Sequence, residues 1–168
     1  MTVFRISSLM QLKPGNIFYD IVSTSPLQLH FVLGDFGIAR AIGDYKRVRG
    51  LDLKVSEGIS FRYASPELFR LYDSGLSSSP IVKEDPALLL KSDVWAFGVI
   101  LWQLAERNSI PWQSCSYSVV QSKTLRGETP AFTVPTSSLS DKYKTLTESM
   151  WIFDPKDRAS FESIRGRL

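Results

Sequence analysis

Lys91 to Arg107 reads KSDVWAFGVILWQLAER. From Val94 to Ala105 every residue except Gly98 and Gln103 is apolar, and two of them are tryptophan. An amphipathic surface helix carries an apolar stripe of roughly 100°, whereas this run is apolar nearly all round, which predicts a helix enclosed by protein. It is too short to span a bilayer, which takes about 20 residues. Ser92 or Asp93 is placed to cap the first free amides, and Glu106–Arg107 is expected to return the chain to water. Burying the apolar side chains of this run is worth on the order of 15 kcal/mol gross, comparable to the ~5–15 kcal/mol net stability of a typical domain. The helix is therefore expected to be the hub of the fold.

The chain around it has 168 residues, 43% of them apolar, which is one domain's worth of sequence with enough apolar surface for a real core. Twenty basic residues against 17 acidic ones leave a net charge of +3, too balanced to point to nucleic acid as a partner. The single cysteine, Cys115, makes no internal disulfide and is expected to be a small, half-buried hydrophobe. No Cys/His cluster has metal-ligand spacing. The start, MTVFRISSLM, has neither a long apolar run nor a small-residue cleavage site, so a soluble, cytoplasmic protein with no membrane partner is expected.

Along the chain, Val3, Phe4, Ile6, Leu9 and Met10 fit a short helix or a strand equally well. Lys13-Pro14-Gly15-Asn16 reads as a turn. Ile17–Val22 and Leu29–Leu33 read as two strands joined by the polar loop Ser23–Gln28, with Gly34-Asp35-Phe36-Gly37 closing the hairpin. Ile38–Gly58 lacks hydrophobic periodicity, and a structureless stretch of that length inside a compact domain is usually functional or disordered. Pro66 suits the first turn of a helix over Glu67–Tyr72, and Asp73–Pro86 is a surface loop. Tyr117–Leu125, ended by Gly127, is a helix. Asp141–Ile152 is another, its face given by Tyr143, Leu146 and Met150. Ser160 caps a last helix, Phe161–Leu168. Five helices and one hairpin follow.

In order stand LKPGN (12–16), GDFG (34–37), SFRYASPE (60–67), KSDVWAFGVILW (91–102), PW (111–112) and DPKDR (154–158). Together they resemble the motifs of the protein kinase family from the catalytic loop to the end of its large lobe. The resemblance covers residues 12–168, with the activation segment at 35–67, and leaves 1–11 as a non-matching segment. It implies an α+β, mainly helical, kinase-like fold: a C-terminal lobe without the small lobe. It also implies transfer of the ATP γ-phosphate to protein hydroxyls, with ATP and magnesium as cofactors and a protein as substrate. Phosphoryl transfer of this kind rests on positioning and on charge neutralisation by metal, and hard cations take oxygen ligands.

By resemblance, Asn16 and Asp35 are the magnesium ligands, Lys13 stands beside the transferred phosphate, and Phe18 is the floor under the nucleotide base. Ser60 and Tyr63 belong to the substrate-docking loop. Glu67 and Arg158 resemble the family's buried ion pair, and Asp93 the aspartate that holds the catalytic loop's backbone. Taken alone, Asn16 reads as a turn residue, Lys13 as a solvated lysine, Phe18 as core packing and Asp93 as an N-cap. His30, in a strand and far from any partner in sequence, reads as a surface histidine. The Lys-Pro-x-Asn loop resembles serine/threonine kinases, and the Trp-rich hub resembles their tyrosine-kinase-like branch.

One departure matters. The family's His-Arg-Asp falls at positions 9–11, where this chain has Leu9-Met10-Gln11. Gln11 cannot accept a proton at neutral pH, and Met10 cannot clamp a phosphorylated loop. No Gly-rich phosphate loop stands anywhere in the sequence. A truncated or mis-spliced kinase is therefore expected in preference to a scattered, decayed pseudokinase, and the rival is an inactive, pseudokinase-like binding or scaffold module. Ser56 and Ser60, among Arg47, Arg49, Lys54 and Arg62, are candidate phosphorylation sites.

Overall fold

A computed structural model of the protein describes residues 12–35, 60–74, 88, 90–133 and 141–167. Strands β1 (Ile17–Thr24) and β2 (Leu27–Leu33) come first. Helices α1 (Pro66–Ser74), α2 (Leu90–Ala105), α3 (Tyr117–Leu125), α4 (Asp141–Ser149) and α5 (Phe161–Arg165) follow. Short 3-10 turns at Pro14–Asn16 and Phe61–Tyr63 lead into β1 and α1. The mainly helical α+β class, with a hairpin and five helices among the described residues, is as expected.

The hub helix organises the core by its own periodicity. Residues three and four apart share a face. Trp95, Val99 and Trp102 pack with Trp151 on one side. Val94, with Phe97 and Leu101 beside it, meets Leu146 and Met150 from the α4 region and Ile164 of α5. Ala96 and Ile100 receive Leu12, the residue that leads into the hairpin. Gly98 sits where the approach is closest: a Cβ there would lie 2.8 Å from Trp151 Nε1 and 3.0 Å from Met150 Cβ. A separate cluster of Ala64, Leu68, Phe69, Leu71 and Val120 joins α1 to α3, with Cys115 half-buried at its edge.

Helix ends follow local chemistry. Pro66 opens α1, where its missing N–H costs nothing, and the Leu68 N–H donates to Ser65 Oγ at 3.3 Å. Ser160 caps α5 by accepting the Ser163 N–H at 3.1 Å, and Ser163 Oγ accepts the Ser160 N–H at 3.0 Å. Gly127, just past α3, takes φ +80°, where a side chain would be strained.

Five expectations are corrected. The hairpin turn is only Ser25-Pro26, because Thr24 pairs with Leu27 and Ser23 with Gln28, and a bulge between Ile21 and Ser23 absorbs the odd residue. Among the described residues α2 is not covered all round: Leu104 is 61% exposed, and Phe97 and Leu101 are half-buried. Ser92 does not cap α2, since its hydroxyl donates to Glu67 and accepts from Ser65. Glu106 does not return the chain to water; it is buried, accepting the Thr133 N–H at 2.7 Å on Oε1 and the Thr133 hydroxyl on Oε2. Helices α4 and α5 are also shorter than expected, because Met150–Trp151 and Gly166–Arg167 turn away. Among the described residues no helix is long and apolar enough to cross a membrane.

Candidate functional site

The 3-10 turn and the hairpin build the first corner of the site. The Asn16 N–H donates to Lys13 O at 3.0 Å, closing the turn, and the Gly34 N–H donates to Asn16 O at 2.9 Å. With Ile17 paired to Leu33, the residue after Gly34 must fall beside Asn16. There Asn16 Nδ2 lies 3.5 Å from Asp35 Oδ2, at the long limit of a hydrogen bond. Asn16 is buried and Asp35 exposed, so the carboxylate stands at the mouth of the corner. Asp35 has φ 58°, a conformation that Asp and Asn tolerate better than other side chains. A Cβ on Gly34 would come within 2.6 Å of the Phe18 ring, so glycine lets that ring lie against the corner while 57% exposed. Lys13, half-buried, precedes the turn.

Two oxygen-bearing side chains converging at an open corner fit a hard cation. Among the described residues there is no cluster of three or more His, Cys, Asp or Glu, so this pair would need oxygens from elsewhere, such as phosphate and water, to complete a shell. Gln11, Met10, Phe36 and Gly37 lie outside the described residues.

The second part of the site is the loop before α1. Ser60 opens the Phe61–Tyr63 turn, half-buried beside a water-sized cavity that it shares with Leu12, Tyr63, Ser92 and Asp93. Asp93, buried in the first turn of α2, thus faces both Leu12 and the loop. The Tyr63 hydroxyl donates to Gln103 Oε1 at 2.7 Å. Burial pushes its pKa up, partly offset by the Arg62 charge and the Gln103 contact. Arg62 spends its guanidinium on backbone. Nη1 donates to Pro111 O at 2.8 Å and to Trp112 O, and Nη2 to Cys115 O at 3.2 Å and Gln113 O at 3.3 Å. Arg62 is therefore committed to the 111–115 loop rather than left for a phosphate on Ser60. Ser56 lies outside the described residues.

Behind the loop is a buried charge network. Arg158 meets Glu67 in a two-pronged pair and donates from Nε to Ile152 O at 2.8 Å and from Nη1 to Lys91 O at 2.7 Å. Ser92 donates to Glu67 Oε1 at 2.9 Å, and Ser65 donates to Ser92 at 2.9 Å. The guanidinium also stacks 5.0 Å from the Trp95 ring centre. Lys91 Nζ donates to the Arg158 carbonyl, and its pKa is lowered by burial first and by the Arg158 charge second. His30 is exposed and stands across the hairpin from Asp20.

Thus Asn16 and Asp35 come together, as do Glu67 and Arg158, while Lys13 and Phe18 flank the first pair. In the sequence Gln103 and Ser65 carry no assigned role, and Arg62 and Ser92 are given other partners than the ones they have. Arg62 and Gln103 carry no signal there, since their partners are a backbone loop and a residue about 40 positions away. Ser65 next to Pro66 was the one available hint, as an N-cap.

A family model described as "Protein tyrosine and serine/threonine kinase" matches residues 16–168. The chain is 33% identical over 84 residues to a tyrosine-protein kinase receptor TYRO3 of Xenopus laevis, covering 50% of this chain and 9% of that protein. It is 31% identical over 137 residues to an insulin-like growth factor 1 receptor of Xenopus laevis, covering 79% of this chain and 8% of that protein. It is 30% identical over 141 residues to a proto-oncogene tyrosine-protein kinase ROS of Gallus gallus, covering 81% and 5%. The chain spans less than a tenth of the length of each of these relatives.

Proposed function

Since the chain belongs to the protein tyrosine and serine/threonine kinase family, we propose that it is the substrate-binding part of a domain that moves the ATP γ-phosphate to a protein hydroxyl. One observation carries the reading: Asn16 and Asp35 face each other at an open corner, 3.5 Å apart. They would hold magnesium, which bridges and neutralises the nucleotide phosphates. Lys13 would meet a phosphate and Phe18 would support the base. The loop at Ser60–Tyr63, fixed by Arg62 and Tyr63, is the wall against which a protein substrate would lie.

The 168 residues alone are not competent in this reading, because Gln11 stands where a proton acceptor is needed. Purified and incubated with Mg-ATP and a generic protein substrate, they are expected to transfer no phosphate. Turnover that survives repurification and disappears in Asp35→Ala would overturn this. The Lys13-Pro14-Gly15-Asn16 loop supports serine or threonine as the acceptor, whereas the similar proteins are named as tyrosine kinases. Phosphoamino-acid analysis of products from the longest natural form of the protein decides between them: phosphotyrosine alone would refute the serine/threonine reading.

Gln11 also favours a second reading, an inactive module that presents the substrate loop to a protein partner. It predicts a melting temperature unmoved by Mg-ATP.

A further inference from the structure

Helix α3 begins at a weak point. Ser116, its N-cap residue, is extended (φ −70°, ψ 168°) and makes no side-chain cap bond. Residues 116–119 are all exposed. A first turn without a cap leaves its amides to water and opens easily. Tyr117 is the first residue of that turn and is 41% exposed, yet its ring closes a seam. It meets Phe61 edge-on at 5.6 Å between ring centres and Phe69 edge-on at 5.8 Å. Phe69 is fully buried in α1, and Phe61 opens the turn that carries Tyr63. The phenol lies toward the last turn of α1, where burial first and the Asp73 charge second push its pKa up. Gln121, one turn further along α3, donates to both Asp73 carboxylate oxygens at 3.0 Å. That last turn of α1 holds no basic residue. Arg62, 4.9 Å from the centre of the Phe61 ring, is committed to the carbonyls of the 111–115 loop.

We propose that Tyr117 is a phosphorylation site for a separate protein tyrosine kinase, and that the phosphate opens the seam between α1, α3 and the loop at Ser60–Tyr63. In the transfer, the Tyr117 Oη–P bond forms and the bond from the γ-phosphorus of ATP to its bridging oxygen breaks. ADP leaves with that electron pair, and the phenol proton passes to the modifying kinase's carboxylate base. Access selects this tyrosine. Tyr63 and Tyr143 are half-buried and spend their hydroxyls on Gln103 and on Leu101 O, and Tyr72 is half-buried. Tyr19 is exposed but paired inside β1, whereas the uncapped end of α3 can fray into an enzyme's cleft. Chemistry fixes the consequence. A phosphotyrosine carries about −1.5 to −2 charges at neutral pH, and it disrupts beside a carboxylate, at a helix C-terminus or in an apolar interface. Tyr117 meets all three conditions, through Asp73, the last turn of α1 and the Phe61–Phe69 contact. Only the description of the loop as a substrate wall rests on the function proposed above. The test reads structure and not catalysis, so the two readings fail separately.

The experiment has two arms on the full chain. In the first, the folded protein is incubated with ATP and a broad-specificity protein tyrosine kinase, and the phosphopeptides are mapped by mass spectrometry. Phosphate on Tyr117, lost in Tyr117→Phe, is expected; phosphate on other tyrosines and none on Tyr117 overturns the proposal. In the second arm, phosphotyrosine is installed at position 117 during synthesis and amide hydrogen exchange is followed. Exchange several-fold faster across 61–73 and 117–121 is expected, with the α2 core at 94–102 still protected. A tyrosine phosphatase should restore the original rates, which shows that the modified chain has not simply misfolded. Unchanged or slower exchange at the seam refutes the opening. Protection lost equally from 94–102 refutes it as well, since the phosphate would then unfold the whole chain and not one seam.

Discussion

Arg158 and Glu67, 91 residues apart, meet with neither side chain exposed: Nη1 lies 2.5 Å from Oε1, and Nη2 lies 3.0 Å from Oε2. Every oxygen and nitrogen of the pair has a partner, with Ser92, Ile152 O, Lys91 O and Phe153 O completing the set. The pair joins the start of α1 to the turn before α5, and Lys91 ties α2 to the same point. The loop carrying Ser60 and Tyr63 is thus anchored from behind by a network whose Arg158, Glu67, Ser65 and Ser92 are all buried.

Breaking this pair from one side leaves a buried charge uncompensated. Arg158→Met and Glu67→Gln are each expected to cost about 3–5 kcal/mol, against a net stability of about 5–15 kcal/mol for a whole domain. Urea denaturation followed by tryptophan fluorescence measures it. Replacing both partners with apolar residues should cost less than either single change, and a double variant as weak as the sum of the singles contradicts the coupling.

Gly98 gives a sharper test of packing. Alanine in mid-helix normally gains about 1 kcal/mol over glycine. Here the new methyl would meet the Trp151 indole at 2.8 Å and Met150 at 3.0 Å, and such overpacking typically costs about 1–3 kcal/mol. Trp151 Nε1 is buried with no hydrogen-bond partner among the described residues, so no bond holds the ring's nitrogen in place. The clash is expected to outweigh the propensity gain by up to about 2 kcal/mol. Gly98→Ala should melt a few degrees lower; a higher melting temperature shows that the indole can shift freely.

These two sites mark what the sequence could and could not show. The hub helix was legible because a run from Val94 to Ala105 that is apolar except at Gly98 and Gln103 has few other homes than a core. The hairpin was legible from its β-branched and aromatic runs, but its turn was drawn too long, since polar residues at Ser23 and Gln28 pair as well as apolar ones do. Glu67 and Arg158 were found only through family resemblance, because nothing local links residues that far apart. Glu106 was misread since a charge after an apolar run usually marks the surface, and only the fold brings Thr133 to it. Arg62 was read as part of a basic cluster, but backbone carbonyls, its true partners, leave no trace in side-chain identity.

The Arg62 clasp predicts a test of charge against shape. Arg62→Lys keeps the cation but loses the planar fork that reaches the carbonyls of Pro111, Trp112, Gln113 and Cys115. Faster amide hydrogen exchange across 111–116 is expected in Arg62→Lys, nearly as fast as in Arg62→Ala. If lysine fully restores protection, charge alone holds the loop.

Tyr72 predicts an alkaline limb. Burial, aided by the neighbouring Tyr117, raises its pKa from 10.0 to about 12. The folded state therefore keeps the phenol proton through a range in which the unfolded chain loses it. The resulting stability is present below pH 10 and is lost as pH rises through about 12. Two pKa units correspond to about 2.7 kcal/mol at most. The difference in unfolding free energy between wild type and Tyr72→Phe should shift in favour of the variant by about 1–3 kcal/mol between these pH values. Parallel pH profiles for the two proteins would show that Tyr72 ionises freely in the fold.

The last prediction concerns the hairpin's tip. Two strands alone are marginal in water, and this pair has an unpaired backbone edge on each side among the described residues. Val22 and Leu27, close to the turn, are 64% and 66% exposed, and Tyr19 and Phe31 exceed 60%. An exposed, apolar, edge-bearing ribbon is a template for pairing with another strand, which natural sheets block with charges such as lysine. The chain is therefore expected to self-associate as concentration rises, seen as light scattering and dye binding to apolar surface. Val22→Lys with Leu27→Lys should suppress both without lowering the melting transition reported by the core tryptophans, since neither residue touches the α2 clusters. A wild-type chain that stays monomeric and dye-silent at high concentration would sink the idea. So would a lysine variant that aggregates as readily, since the sticking surface would then have to lie elsewhere.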